Sequence, residues 1–414
     1  MMIEIINMIL NKMEKICKPQ QKFIMGVLTI LLSARGKMNF RNMSRYSDFE
    51  EKTFSRNYEK PFNFSEFNQH ALSFVIKPET RLIAAFDPSF IKKSGKKTYG
   101  KDYFWNGSAS KAEKGLEVGL LAVVDVDYNT AYPVSAQQTP PIASSRKNRA
   151  TEVTIKNRVD AYLEHISKEK RYLPSVIAHL VVDGYFSKER FVAGVKNMGL
   201  DVIGKLRLDA RLRFLYQGER NRIGRPKKYD GAVNINDHSQ LQFIGEIDVE
   251  EDVNVKIYSA IVNSISLACD VRIVLLVDDN NKNNVDRALL FSTDLNLSAF
   301  DIYYFYKARY QIEFLFRDAK QFVGLADCQA RSKEKLDWHF NASFAALNVA
   351  KIEDRLSKKA SDPSVFSMAS SKIRHFNEKL IEKVFSMFDF DLTLIKLTPQ
   401  FEKLRNYRAI LYDP

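Results

Sequence analysis

Cysteine occurs only three times in 414 residues, at Cys17, Cys269 and Cys328. Three widely spaced thiols build no disulfide framework, and they fit a reducing, cytoplasmic setting. No Cys-x-x-Cys pair is present, and the six histidines (His70, His165, His179, His238, His339 and His375) show no His-x3-His spacing, so the ligand pattern of a zinc site is missing. Glycine (16) and proline (12) are too few for a collagen-like or linker-rich chain. No G-x4-G-K-[ST] phosphate loop occurs, which speaks against a nucleotide cofactor. The longest N-terminal apolar run, Phe23 to Leu32, is about half the length of a membrane span. It follows a lead containing Glu4 and Glu14 and has no small-residue cleavage site after it, so it reads as a buried helix and not as a signal peptide or anchor.

What is present is an ordinary globular composition, 45% apolar and 27% charged, with a net charge of +13. That excess favours a polyanionic partner. With no membrane-seeking segment, nucleic acid explains it better than an acidic membrane surface does.

Four regions can be told apart. Residues 1–72 read as helical: Met8–Leu32 first, then two short segments, Asn39–Tyr46 and Glu50–Tyr58, with Ser47-Asp48 between them as a helix N-cap. Arg41, Arg45, Lys52, Arg56 and Lys60 decorate the pair. This is the pattern of a helix-turn-helix, and equally of a helical bundle with a solvated basic face. From residue 80 short apolar runs signal strands of a covered sheet: Leu82–Phe86, ending in Asp87-Pro88-Ser89; Val118–Val126; Val176–Val182, ending in Asp183-Gly184; and Val202–Leu206. A helix over Ala150–Ile166 makes this an α/β region. Residues 208–286 hold β-type segments (Leu241–Ile247, Val253–Val262, Val271–Val277) without a long helix, the pattern of a β-rich insertion. Helices follow over Ser298–Phe322, Lys335–Leu356 and Ile373–Phe388. The expected division is 1–72, a helical DNA-binding domain; 73–207 and 287–355, two parts of one α/β core; 208–286, the insertion; and 356–414, a C-terminal helical region.

The chemistry concentrates between Tyr306 and Lys320. At about 100° per residue, a single helix places Tyr306, Arg309, Glu313 and Lys320 on one stripe at the edge of an apolar face. The plain alternative is a solvated face with an incidental Arg309–Glu313 pair. Asp87 and Asp183 end apolar runs, and acidic groups at strand ends can converge on one sheet edge. A turn or a cap would look the same, and Asp125, Asp127, Asp278 and Asp279 also end apolar runs. Three carboxylates suit magnesium, a hard cation that shares its sphere with water and phosphate oxygens. After Asp87 come Lys92, Lys93, Lys96, Lys97, Lys101, Lys111 and Lys114, interleaved with Phe90, Tyr99, Tyr103, Phe104 and Trp105, a mixture suited to phosphates and bases. A second basic stretch, Lys205 to Lys228, includes Gly224-Arg225-Pro226, which suits either a minor-groove contact or a solvated turn.

The spacing Y-x2-R-x3-E-x6-K at Tyr306, Arg309, Glu313 and Lys320 resembles the signature of bacterial insertion-sequence transposases of the DDE type. Phe86 to Thr98 and Leu180 to Phe186 resemble the regions of their first and second catalytic aspartates, in the expected order over about residues 80–350. The resemblance implies a ribonuclease-H-like α/β core, a mixed sheet flanked by helices, with Asp87 on its first strand, Asp183 on its fourth and Glu313 on a later helix, after a β-rich insertion. It implies that Asp87, Asp183 and Glu313 are catalytic and bind two Mg2+ ions, with Mn2+ as a substitute. It also implies that Tyr306, Arg309 and Lys320 hold DNA phosphates. The N-terminal helices would read double-stranded terminal inverted repeats, and the C-terminal helices would support a homodimer on the DNA. An aromatic of the insertion can stack on a flipped base in such proteins, and Tyr216 and Trp105 are candidates here. The implied activity is cut-and-paste DNA transposition. A metal-dependent nuclease of the same fold and a non-catalytic repressor derived from a transposase are the alternatives.

Overall fold

A computed structural model describes residues 1–141, 157–219, 226–250, 253–278, 286–358, 365–388 and 392–410. The chain opens with helices α1 (Met2–Lys12), α2 (Lys18–Ser33), α3 (Phe40–Met43), α4 (Glu51–Asn57) and α5 (Phe64–Leu72). Strands β1 (Leu82–Lys92), β2 (Asp102–Asn106), β3 (Lys111–Asp125) and β4 (Thr130–Gln138) follow, then α6 (Arg158–Glu169), β5 (His179–Val181), α7 (Glu189–Asn197) and β6 (Asp201–Leu206). Next come β7 (Leu212–Leu215), β8 (Tyr229–Ala232), β9 (Gln242–Glu250), β10 (Val253–Ser264), β11 (Cys269–Asp278) and β12 (Asp286–Ser292). The chain ends in α8 (Ala299–Ala308), α9 (Gln311–Phe322), α10 (Lys333–Ser357), α11 (Met368–Met387), α12 (Leu392–Ile395) and α13 (Pro399–Arg405).

Among the described residues the strands form one twelve-stranded mixed sheet, in the order β2-β3-β1-β5-β6-β12-β11-β10-β7-β8, with β4 on β3 and β9 on β10. The part made by β4, β3, β1, β5 and β6 is the ribonuclease-H-like sheet, three antiparallel strands followed by two parallel ones. The β-rich segments continue that same sheet, because β12 pairs with β6 and hands the ladder on to β11. Helices cover both faces. Phe86 points to the α6 side, where it meets Tyr162, His165 and Phe186 at ring distances of 5.5–5.8 Å. On the other side α9 and α10 pack, with Phe316 edge-on to Phe344. Gly119 makes room for Phe86: a Cβ there would stand 2.8 Å from the ring.

The N-terminal helices share one hydrophobic core with the sheet and with α10. Tyr58 stacks on Trp338 of α10 at 3.9 Å, and Phe23 touches Phe49, Phe54 and Trp338. Among the described residues no helix is long and apolar enough to cross a membrane.

Several boundaries differ from expectation. The run Met8–Leu32 is two helices, separated around Lys15 (φ 59°), and Pro19 opens the second because a residue without an N–H is tolerated only in a first turn. The N-cap between the short helices is not Ser47-Asp48. The Asn39 side chain caps α3 by accepting from the Asn42 N–H, and α4 has no side-chain cap. Asp87 does not end a strand. β1 runs on to Lys92 because its pairing with β3 continues to Lys92 opposite Gly115, while the parallel pairing with β5 stops at Ala85. Pro88 is tolerated because it lies past that point, where the β5 edge needs no donor. Helix 298–322 is interrupted at Arg309-Tyr310, where i→i+3 bonds from Ile312 to Arg309 and from Glu313 to Tyr310 tighten the backbone. Residues 150–156 of the expected helix lie outside the described residues, and α6 begins at Arg158.

Phe86 is fully buried, so Phe86→Ala removes a ring from the contact between sheet and α6. The expected loss is about 3–5 kcal/mol, read as a lower midpoint in urea unfolding, with no such loss for Tyr103→Ala on the exposed side of β2.

Candidate active site

The parallel pairing of β1 and β5 places Ala85 opposite Val181. Two residues beyond the last pair on each segment stand Asp87 and Asp183, close enough for the charge of Asp183 to act on Asp87. Asp183 stands just past β5, where its carboxylate accepts from the Tyr185 N–H at 2.9 Å and caps the short 3-10 turn Gly184–Phe186. The sheet here is covered by α9, which brings Glu313 and Lys320 over β1.

Charge crowds at this point. The Asp87 carboxyl keeps partial contact with solvent but is densely enclosed. Burial, then the negative charge of Asp183, and more weakly Glu313 and Glu117, push its pKa up to about 8 against the opposing pull of Arg309. Burial also lifts Asp183, against the N–H groups of Tyr185 and Phe186 and against Arg309. The three acidic side chains therefore lie within electrostatic reach of one another. Glu313 is turned to Arg309, which donates to its Oε1 at 3.0 Å. Among the described residues no group of three or more His, Cys, Asp or Glu side chains is closed tightly enough as it stands to hold an ion.

The cations are arranged around the carboxylates. Arg309 closes α8, its guanidinium 5.6 Å from the Tyr306 ring centroid, and its buried Nε has no hydrogen-bond partner. Burial raises the Tyr306 hydroxyl, with Arg309 opposing. Lys320, two turns beyond Glu313 on the same face of α9, donates to Ser89 Oγ at 2.8 Å. Burial lowers the Lys320 pKa, and Asp87 pulls it back. The helix break at Arg309 replaces the expected continuous stripe. The phase holds from Glu313 to Lys320 but is reset between Tyr306 and Glu313.

Other predicted residues are spread more widely. Lys92, Lys96 and Lys97 are exposed at and beyond the end of β1. Lys93 turns inward and donates to the carbonyls of Ala326 and Cys328. Arg41 and Arg45 are exposed on the N-terminal layer, and Arg41 lines a cleft against Cys328–Arg331. Arg225 lies outside the described residues. Trp105 is exposed on β2, and the ring of Tyr216 lies under Lys227. Sequence reasoning did not single out Ser89, which follows Asp87 at the strand period of two. It also passed over Lys188, whose ammonium sits 3.5 Å above the Tyr185 ring, and Glu117, a buried carboxylate that accepts from Tyr162 on the opposite face. Period two from Asp87 was the available signal for Ser89; Lys188 and Glu117 carried none.

The donor set suits a hard divalent cation. It consists of carboxylates whose mutual repulsion such an ion would relieve, flanked by an arginine with an unsatisfied buried donor. The model of a protein family described as "Archaeal putative transposase ISC1217" matches residues 2–361. No curated protein matches the chain.

A raised acid pKa weakens the folded state at high pH. The cost is complete above about pH 8, and it fades as pH falls towards the unfolded value near 4, where both states are protonated. A tenfold change in an acid's ionisation constant corresponds to about 1.4 kcal/mol. Without divalent ions, Asp87→Asn therefore raises stability at pH 8.5 by about that amount or more, read as a higher denaturation midpoint, and the gain shrinks steadily in scans taken towards pH 4.

Proposed function

The chain belongs to the insertion-sequence DDE transposases, and from that premise we propose that it cleaves the ends of a DNA element and joins them to target DNA. The observation that carries the reading is the crowding of Asp87 by Asp183 and Glu313 between Arg309 and Lys320. In this reading Asp87, Asp183 and Glu313 are the catalytic carboxylates and would hold two Mg2+ ions, which Mn2+ can replace. When bound, such ions supply an activated water and charge stabilisation at the phosphate.

The chain's own residues do the rest. Glu313 and Arg309 are paired with each other in the resting site. Release of that pair frees the carboxylate for the cation and, in the same movement, the guanidinium for phosphate oxygens, with its unpaired Nε adding a donor. Lys320, steadied by Ser89 two residues from Asp87, neutralises a further phosphate oxygen. Tyr306 orients the backbone by hydrogen bond. Each step exchanges one phosphodiester bond for another or for water, so no nucleotide cofactor is needed.

The Y-R-E-K spacing supports reading the chain as one of the transposases that carry that signature. Residues 1–72, with Arg41 and Arg45, would contact the terminal repeats, and Lys92, Lys96 and Lys97 would line the DNA beside the core formed by 73–207 and 287–355. The insertion 208–286 would flank that core, and 356–414 would serve the homodimer that brings two ends together. Such a protein works where the DNA is, on the nucleoid in the cytoplasm.

The test is nicking of cognate ends and their transfer into a plasmid, with Mg2+ or Mn2+. Asp87→Ala, Asp183→Ala and Glu313→Gln should each lose at least about 10³-fold in cleavage, since several kcal/mol of charge stabilisation is removed at ~1.4 kcal/mol per decade, while still binding the ends. Cleavage at the wild-type rate by any of the three removes it from the site, and cutting without transfer reduces the protein to a nuclease.

A further inference from the structure

At the far end of β1 a cleft of about 350 Å³ opens between the catalytic sheet, the turn after α9 and the segment before α3. Lys37, Lys92, Lys93 and Arg331 line it, with Asp327 as the one carboxylate. Its walls are tied in place. Lys93 donates to the carbonyls of Ala326 and Cys328, Asp327 accepts from the Met38 N–H at 2.9 Å, and Tyr99 N–H donates to the Arg331 carbonyl at 2.9 Å. Gly324, at φ 72°, lets the turn approach so closely that a Cβ there would lie 2.4 Å from Met38 Cβ. Asp327 and Lys93 are thus consumed in building the site. The side chains of Lys37, Lys92 and Arg331 make no ion pair and no hydrogen bond among the described residues, although three separate segments deliver them to one place.

Three unspent cations on a fixed frame, with no aromatic side chain among the lining residues to stack on a base, suit a phosphate group read for its charge. The cleft also has a defined relation to the carboxylates. Lys92 lies five residues along the same strand from Asp87, about 17 Å at ~3.4 Å per residue. Five is an odd step, so the Lys92 side chain leaves the strand on the face opposite Asp87, at the sheet edge where the cleft opens. We infer that this cleft is a phosphate subsite for duplex DNA, engaging the backbone to one side of the cut through Lys37, Lys92 and Arg331. The inference rests on the reading of Asp87 as the cutting site. It divides the lysines after Asp87 into a strut, Lys93, and a DNA contact, Lys92, and adds Lys37 and Arg331, which lie outside the basic stretches visible in the sequence.

The experiment is the salt dependence of end binding by the full chain. Each phosphate contact contributes about 0.9 to the log–log slope, or roughly 3.5-fold in affinity for a fourfold rise in salt. The triple variant Lys37→Ala, Lys92→Ala, Arg331→Ala should lose about one to three such contacts. An ethylation-interference scan of the end should find a phosphate away from the cut whose ethylation weakens wild-type binding but not that of the variant. The charge-preserving set Lys37→Arg, Lys92→Arg, Arg331→Lys should restore most of the slope, which separates lost contacts from a damaged fold. A triple variant with the wild-type slope, or one that the charge-preserving set fails to rescue, overturns the subsite. Cleavage that survives Asp87→Ala overturns the catalytic reading instead and leaves the slope measurement interpretable.

Discussion

Two carboxylates brought together where β1 and β5 part repel each other, and the surroundings of the site answer to that repulsion. The pairing of β1 with β5 ends two residues short of Asp87 and Asp183 and leaves them within electrostatic reach, and burial makes that costly by reducing the water that would screen them. The protein offsets part of the cost with backbone N–H groups at Asp183 and with the guanidinium of Arg309. The rest remains as a raised pKa at Asp87. At neutral pH that raised pKa keeps a proton on Asp87, and under the proposed function a cation would take over the same crowded carboxylates and displace the Arg309–Glu313 pair.

The same site depends on segments hundreds of residues apart, so its geometry is held by long-range polar links as well as by the core. Asn348 on α10 donates to Asn68 on α5 and to the Pro133 carbonyl on β4. Asn341 exchanges hydrogen bonds with the backbone of Ala136. Glu353 accepts from the Met2 N–H and pairs with His375 on α11. Lys372 reaches the terminal carbonyls of both α2 and α9, a cation placed where two helix dipoles end negative. Buried groups of this kind are costly when a partner is lost, so these bonds tie the N-terminal helices, the sheet and α9 to one another.

Where sequence reading fell short, the cause was pairing geometry. A strand end was drawn at Asp87 because polar residues and a proline follow it, but a strand can continue on one neighbour after losing the other, and β3 keeps β1 extended to Lys92. Periodicity over 298–322 is helical throughout, and it cannot reveal that two residues in its middle take i→i+3 bonds and reset the phase. The β-type segments beyond residue 208 were visible as strands. That they prolong the central sheet through β12 and β6 depends on a ladder between residues about 85 apart, which leaves no local trace.

The sequence by itself determined the residue types and their spacing: the positive charge, the α/β alternation, the two aspartates after apolar runs and the Tyr306–Lys320 pattern. These are local or compositional properties, written along the chain. Only the tertiary structure decided which charged groups meet. It turned Lys93 inward and left Lys92 outward, joined Ser89 to Lys320, and drew Lys37 and Arg331 to the same cleft. The physical reason is that charge acts through space over a few ångströms, and neighbourhood at that scale is created by packing and not by order in the chain.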